Sequence, residues 1–308
     1  MSNLTHRMSQ PPTELAPTPA LRQIPRRYVA LGLIIVAIAL LGTLVLVRDN
    51  AAPGSSSTVE TFNAAPSSLV SMLELPSSVY DTVGVTSPAN PVTPPQSGSS
   101  PLWQATSGGG ATLPVVYFYG AEFAPYAAAQ RWPVILALSR FGTFSQVGLM
   151  QSSNTTAFPN LSTFTFWDVG YQSKYLILQP VERYSSLNPT GAGYLSLQMP
   201  SAREAASVSQ YAPGSDTFAL TDVANKYVLS GSSYSPAVLD GLSQDQIAGY
   251  LATPAAPLTQ AVVTAANEIS ATICAVDRGR PGSVCQSRGV QEAAELLKLG
   301  PSVPAGSS

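Results

Sequence analysis

The longest apolar stretch of the chain covers residues 28–47, which carry no charged side chain. A helix of that length, at about 1.5 Å per residue, spans the roughly 30 Å hydrocarbon core of a bilayer. Four arginines precede the stretch, whereas the next basic residue after Arg48 is Arg131. We therefore predict a single transmembrane helix with a cytoplasmic N-terminus and an extracytoplasmic C-terminal domain. A cleaved signal peptide is the alternative, but its apolar core would span only about 7–15 residues.

Beyond residue 112, short apolar runs rich in β-branched and aromatic residues predict β-strands. The runs cover residues 115–119, 144–150, 163–169, 174–179, 217–221 and 226–229. Gly170 lies between the third and fourth runs, so these two are predicted to form a hairpin. The last two runs are predicted to pair in the same way.

Helical periodicity appears in four segments that alternate with these strands or follow them. Ser243 and Gln246 form a capping-box pattern at the start of one of them. Pro133 falls inside another, where it should remove a hydrogen bond and kink the axis. The predicted helices cover residues 127–141, 243–251, 258–275 and 291–299. The pattern indicates an α/β fold in which a mixed sheet is flanked by helices, with extra helices at the C-terminus.

Proline, glycine and serine content suggests how the chain is divided around this domain. The predicted layout is a disordered cytoplasmic tail over 1–27, the transmembrane helix over 28–47, a linker over 48–59, an extracytoplasmic domain over 60–299 and a disordered tail over 300–308. Within the domain, residues 60–112 are predicted to wrap across its surface as an N-terminal segment.

Charge and histidine content exclude several classes of function. Residues 49–308 hold ten Lys and Arg against sixteen Asp and Glu, so no basic surface for nucleic acid is expected. The only histidine, His6, lies in the predicted cytoplasmic tail, which leaves the domain without a histidine base or metal ligand. The sequence contains no phosphate-binding glycine motif. No cofactor and no metal site are predicted.

The predicted strand over 115–119 leads into a turn and a helix that begin with Ala124, Pro125, Tyr126 and Ala127. This is the layout of a thioredoxin-like active site in which both cysteines of a C-x-x-C turn are alanines. In such a turn the helix N-terminus stabilises one thiolate and the second thiol resolves the mixed disulfide. A methyl group does neither, so no catalytic residue is predicted at this motif.

Several blocks of the sequence resemble domain-of-unknown-function family 929, and the resemblance covers most of residues 60–299. The blocks are residues 120–132, 137–142, 163–166 and 224–234. The resemblance implies a membrane-anchored, thioredoxin-like domain whose usual turn is Cys-Pro-Tyr-Cys, so that its two cysteines correspond to Ala124 and Ala127. It also implies a cis-proline facing the turn, and Ala219 stands at that position here.

The two cysteines of the chain, Cys274 and Cys285, flank a segment with two arginines. In an extracytoplasmic domain they are expected to form a structural disulfide. The alternative is a surviving redox centre, because nearby arginines could lower the pKa of a thiol.

From these observations we predict a protein that is redox-inactive at the vestigial motif and serves as a binding or assembly module. The candidate groove residues are Glu122, Phe123, Tyr126 and Trp132, and the expected partner is a protein or peptide. Glu122 is expected to be half-buried, and it has no partner that spacing reveals. Two alternatives stay open, a thiol–disulfide oxidoreductase that uses Cys274 and Cys285 and a purely structural envelope component.

Overall fold

The computed structural model of the protein describes residues 70, 72–86, 90–95, 100–187, 193–214 and 218–300. The predicted cytoplasmic tail, transmembrane helix and linker lie outside these residues, as does the C-terminal tail beyond Gly300. No helix in the described part of the chain has the length and apolar character needed to cross a bilayer.

The described residues form seven α-helices and seven strands, together with a short 3-10 helix at Pro236–Leu239. The helices are α1 (Ser77–Val83), α2 (Pro125–Ser139), α3 (Ala202–Tyr211), α4 (Gln244–Leu251), α5 (Pro257–Val276), α6 (Gly282–Cys285) and α7 (Arg288–Leu296). The strands are β1 (Gln104–Thr106), β2 (Thr112–Gly120), β3 (Gly142–Gln151), β4 (Ser162–Ser173), β5 (Ile177–Glu182), β6 (Ala219–Val223) and β7 (Tyr227–Ser230).

Five of the strands form one mixed sheet around β2. β2 pairs in parallel with β5 and antiparallel with β6, and β6 pairs antiparallel with β7. β1 adds to the N-terminal end of β2 in antiparallel register. β3 and β4 form a separate two-stranded hairpin. The predicted α/β class is confirmed.

Successive side chains of β2 enter two different apolar clusters, one on each face of the sheet. Val116 and Phe118 join the larger cluster, which contains the buried faces of α2 and α5. Val115 and Tyr117 join a smaller cluster that packs against α3 and Trp103. The sheet therefore lies between α2 and α5 on one side and α3 on the other.

Helix α2 begins with Pro125, where a missing backbone N–H removes no intrahelical bond, and it contains Pro133 as predicted. A proline inside a helix leaves the carbonyl four residues earlier without its usual donor. That carbonyl belongs to Ala129, and the hydroxyl of Tyr234 donates to it at 2.7 Å. A tertiary contact thus satisfies the group that the proline frees.

The predicted hairpin between the third and fourth runs is wrong. Gly170 lies inside β4, which continues to Ser173 and pairs with β3 along its length. β5 instead runs parallel to β2. The apolar alternation of a strand marks its buried face but does not identify its hydrogen-bonded neighbour, so the pattern alone could not separate the two pairings. The predicted antiparallel pairing of β6 with β7 is confirmed.

Part of the predicted wrapping segment, 60–112, contributes to the interior. Tyr80, Val92 and Trp103 are buried. The side-chain amide of Asn267 on α5 donates to the carbonyls of Tyr80 and Gly84, which ties α1 to α5. Sequence analysis missed β1 and also missed α3, although Ser201 and Glu204 form a complete capping box at the start of α3.

Candidate functional site

The predicted motif, residues 124–127, lies where β2 ends and α2 begins. Ala124 is the N-cap residue of α2, and its backbone N–H donates to the carbonyl of Ala121 at 3.1 Å in the intervening turn. Ala124 and Ala127 have no exposed surface. The strand, the turn and the helix therefore occur in the predicted order, with two buried methyl groups at the positions of interest.

Ala219 is the first residue of β6 and pairs with Gly120, the last residue of β2. This register places Ala219 at the same end of the sheet as the motif. The only cis peptide bond among the described residues joins Arg280 to Pro281, so the bond before Ala219 is trans.

An aromatic cluster borders both parts of the site. Phe123, the residue before the motif, stacks on Tyr194 with ring centroids 4.0 Å apart. Phe218, the residue before Ala219, packs edge-on against Phe123 at 5.2 Å and against Tyr184 at 5.6 Å. We call Phe123, Tyr184, Tyr194 and Phe218 the Phe218 cluster. Each of its rings is partly exposed, so the cluster forms a surface at this end of the sheet.

The other two aromatic candidates differ in accessibility. Tyr126 is 37% exposed and meets the ring of Phe158 edge-on at 6.4 Å. Trp132 is 1% exposed, donates from its indole nitrogen to the carbonyl of Ser162 at 3.0 Å and packs on Phe164. Trp132 is therefore a core residue, and the structure does not place it in a surface groove.

Glu122 is buried at 3% exposure rather than half-buried, and its carboxylate has two donors. The hydroxyl of Thr165 donates to one oxygen at 2.6 Å, and the backbone N–H of Ser186 donates to the other at 3.2 Å. Burial raises the pKa of Glu122 above its ordinary value, and the Thr165 hydrogen bond partly offsets this. Thr165 lies 43 positions away on β4, so sequence spacing could not reveal this partner.

Nearly two turns into α2, Arg131 belongs to a fully buried ion pair. Arg131 donates from Nε to Oε1 of Glu182 at 2.9 Å and from Nη2 to Oε2 at 2.7 Å. The backbone N–H of Phe166 also donates to Glu182, at 3.1 Å. Both charged side chains have zero exposure. Sequence analysis missed this pair, although a lone arginine within a largely apolar helix was a usable signal.

Gly120 allows this ion pair to approach β2 closely. A Cβ atom at Gly120 would lie 2.6 Å from the ring of Phe118 and 3.2 Å from Oε2 of Glu182. Because the first separation is shorter than normal contact, a larger residue would displace these groups. Gly120, at the end of β2, thus leaves room for the Phe118 ring and the Glu182 carboxylate.

Cys274 and Cys285 form a disulfide with their Cα atoms 5.6 Å apart. The two residues are 3% and 1% exposed. The bond links the end of α5 to α6 and closes the turn between them. No group of three or more potential metal-ligating side chains occurs within the described ranges.

The sequence profile of a family described as "Domain of unknown function (DUF929)" matches residues 109–275. These residues include β2, the motif, Ala219 and most of α5. No curated protein and no solved structure matches the chain.

Proposed function

The chain belongs to the DUF929 family, and we propose that it is a redox-inactive, thioredoxin-like domain that binds an extended peptide segment of a protein partner. The observation that carries the proposal is the Phe218 cluster, which borders a strand–turn–helix motif with alanines at both thiol positions.

The strand order supports a thioredoxin-like fold. The central strands follow the order β5-β2-β6-β7, with one parallel and two antiparallel pairings. Helix α2 follows β2, α3 lies between β5 and β6, and α5 follows β7. Such an arrangement is expected of a thioredoxin-like sheet with its flanking helices. The β3–β4 hairpin and the helices after α5 would then be additions to that fold.

The side chains at positions 124 and 127 support the proposal that this motif carries out no redox chemistry. Disulfide exchange requires a thiolate that attacks and a second thiol that resolves the mixed disulfide. Ala124 and Ala127 supply neither, and Ala219 replaces the proline that would face them. We therefore propose that this end of the domain acts by non-covalent recognition.

The Phe218 cluster supports peptide binding. Thioredoxin-like folds bind extended peptides beside the loop that Ala219 occupies here, and Phe218 immediately precedes that residue. Partly exposed aromatic rings provide a large contact area at little conformational cost, and such residues are common in binding hot spots. The guanidinium of Arg183 lies 4.2 Å from the ring of Tyr184, which adds a positive charge to the edge of the cluster.

The full-length protein can be used to select binding peptides from a random library displayed on phage. Phe218→Ala is expected to weaken the binding of the selected peptides. Loss of a hot-spot ring lowers affinity by about 30-fold. Tyr194→Ala should act in the same direction, because the ring of Tyr194 covers Phe123. Affinities of the selected peptides for each variant provide the measurement.

Tyr250→Ala is the matched control for this experiment, since Tyr250 is an exposed aromatic residue on α4 that lies outside the cluster. It should leave peptide affinity unchanged. The proposal fails if the library yields no binding peptide, or if the selected peptides bind the Phe218→Ala and wild-type proteins equally well.

We also propose that residues 28–47 anchor the protein in a membrane and hold the domain on the extracytoplasmic side. The apolar length of that segment and the arginines before it support this placement. The Cys274–Cys285 disulfide is consistent with it, because such bonds persist mainly in oxidising compartments.

The buried position of the disulfide favours a structural role over an oxidoreductase centre. Replacing both Cys274 and Cys285 by serine is expected to lower the free energy of unfolding by about 3 kcal/mol, because the cross-link closes a short loop in the unfolded chain.

In the wild type, the Cys274–Cys285 disulfide should stay oxidised at potentials down to about −300 mV. Alkylation followed by intact-mass measurement reports the redox state, and denaturant unfolding reports stability. Opening near −200 mV would favour the oxidoreductase alternative instead.

A further inference from the structure

A cavity of about 670 Å³ lies away from the motif, between the β6–β7 turn and the C-terminal end of α5. Pro94, Pro95, Leu102 and Val276 contribute apolar surface to its wall. A volume of this size is typical of sites that accept small organic ligands. The polar side chains that line the cavity therefore decide which ligand chemistry it suits.

The β6–β7 turn presents the first cation, Lys226. Ala224 and Asn225 have φ angles of 57° and 60°, and the backbone N–H of Lys226 donates to the carbonyl of Val223 at 3.0 Å. Val223 pairs with Tyr227, so the hairpin loop has three residues, and the first two have left-handed backbone. One N–H of the Lys226 ammonium donates to the carbonyl of Ser100. Since a lysine ammonium has three donors, two others are left for a ligand.

The turn after α5 presents the second cation, Arg278. Its φ angle is 59°, and the backbone N–H of Gly279 donates back to the carbonyl of Cys274 at 2.9 Å, which closes the helix end. The adjacent carboxylate of Asp277 forms an ion pair with Arg280 at 2.7 Å. Within the described ranges, the guanidinium of Arg278 makes no hydrogen bond or close ion pair, and its charge also acts on the Asp277 carboxylate, where it partly offsets the rise in pKa that burial causes. The Cys274–Cys285 disulfide closes the loop that carries it.

We propose that this cavity binds a small amphipathic anion, an apolar body that carries one carboxylate or sulfonate group. Lys226 and Arg278 both line the cavity, and no acidic residue of the described chain lines it. The anionic group would accept hydrogen bonds from these two cations, which are the strong, charge-assisted kind. The apolar body would cover Leu102, Val276 and the two prolines. The site is separate from the Phe218 cluster and does not depend on peptide binding there.

A cavity of the same volume elsewhere in the domain differs in its charged lining. That cavity is also about 670 Å³, but Lys174 is its only cationic lining residue among those described, and Gly108, Gly109 and several hydroxyl groups form much of its wall. It therefore serves as a comparison cavity that has the same volume but one cation instead of two.

Photolabelling of the full-length protein with para-(trifluoromethyldiazirinyl)benzoate tests the proposal. The anionic probe should label peptides from the cavity wall in a saturable way. The double variant Lys226→Gln, Arg278→Gln should reduce that labelling at least about tenfold, because both charge-assisted contacts are lost. Labelling of the cavity by the neutral benzyl alcohol analogue should change less than about twofold, since its apolar contacts persist.

The double variant Lys174→Gln, Lys298→Gln removes the same net charge elsewhere and should label as the wild type does. Mass spectrometry of the labelled peptides separates this cavity from any probe bound to the apolar segment at residues 28–47. The proposal is overturned if the benzoate does not label the cavity saturably. It is also overturned if the Lys226 and Arg278 variant retains wild-type labelling or loses both probes equally.

Discussion

Arg131→Met is expected to lower the free energy of unfolding by about 3–5 kcal/mol, which is the usual cost of leaving one member of a buried ion pair without its partner. The Glu182 carboxylate would lose both guanidinium hydrogen bonds, at 2.9 and 2.7 Å, and would keep the backbone donor of Phe166 in a site with no exposure. Denaturant unfolding of the variant and the wild type at neutral pH measures the difference.

The double variant Arg131→Met, Glu182→Leu is expected to recover much of this loss. Replacing both charges by apolar side chains removes the unpaired carboxylate, and such replacements are often close to neutral. Arg288→Met is the surface control, since Arg288 pairs with Glu292 but its side chain is 73% exposed. An exposed pair of this kind contributes at most about 1 kcal/mol. Equal losses for Arg131→Met and Arg288→Met would contradict the assigned role of the buried pair.

The ion pair joins three elements of the domain in its interior. Arg131 belongs to α2, Glu182 ends β5, and Phe166 lies on β4. The pair therefore links α2 to β5 and β4 in the interior of the domain. Loss of the pair should loosen the Phe218 cluster as well as the fold, because Tyr184 follows Glu182 by two residues.

Sequence patterns predicted the elements of this domain well where local chemistry determines them. The capping box at Ser243, the long helix through 258–275 and the pairing of β6 with β7 each depend on neighbouring residues, and each is confirmed. The strand–turn–helix order around Ala124 could also be predicted, because a β-branched run and a proline at the first helical position mark it.

Features that depend on distant partners could not be predicted in this way. The hydroxyl of Tyr234 satisfies the carbonyl of Ala129 from 105 positions away. Thr165 reaches Glu122 from the β3–β4 hairpin, which the strand pattern had assigned to a different pairing. The burial of Trp132 could not be predicted either, since an aromatic residue near a motif can lie in the core or in a binding groove.

The wild type is expected to lose stability as the pH rises, and Glu268→Gln is expected to abolish most of that loss. Glu268 lies on α5 with no exposure, and neither carboxyl oxygen has a hydrogen-bond partner. Burial raises its pKa from 4.5 to about 8, and a weaker interaction with the backbone of Val92 partly offsets this. The folded state therefore favours the neutral acid, whereas the unfolded chain ionises at the ordinary pKa.

The sign of the effect follows from these two pKa values. The stability that neutral Glu268 contributes is fully present below about pH 4.5 and falls by about 1.4 kcal/mol per pH unit until about pH 8, above which the loss is complete. Denaturant unfolding across this range should show a steeper decline for the wild type than for Glu268→Gln, which cannot ionise. Glu295→Gln, at an exposed position on α7, should keep the wild-type slope. Parallel stability curves for the wild type and Glu268→Gln would mean that the buried carboxyl ionises in the folded state as easily as in the unfolded chain.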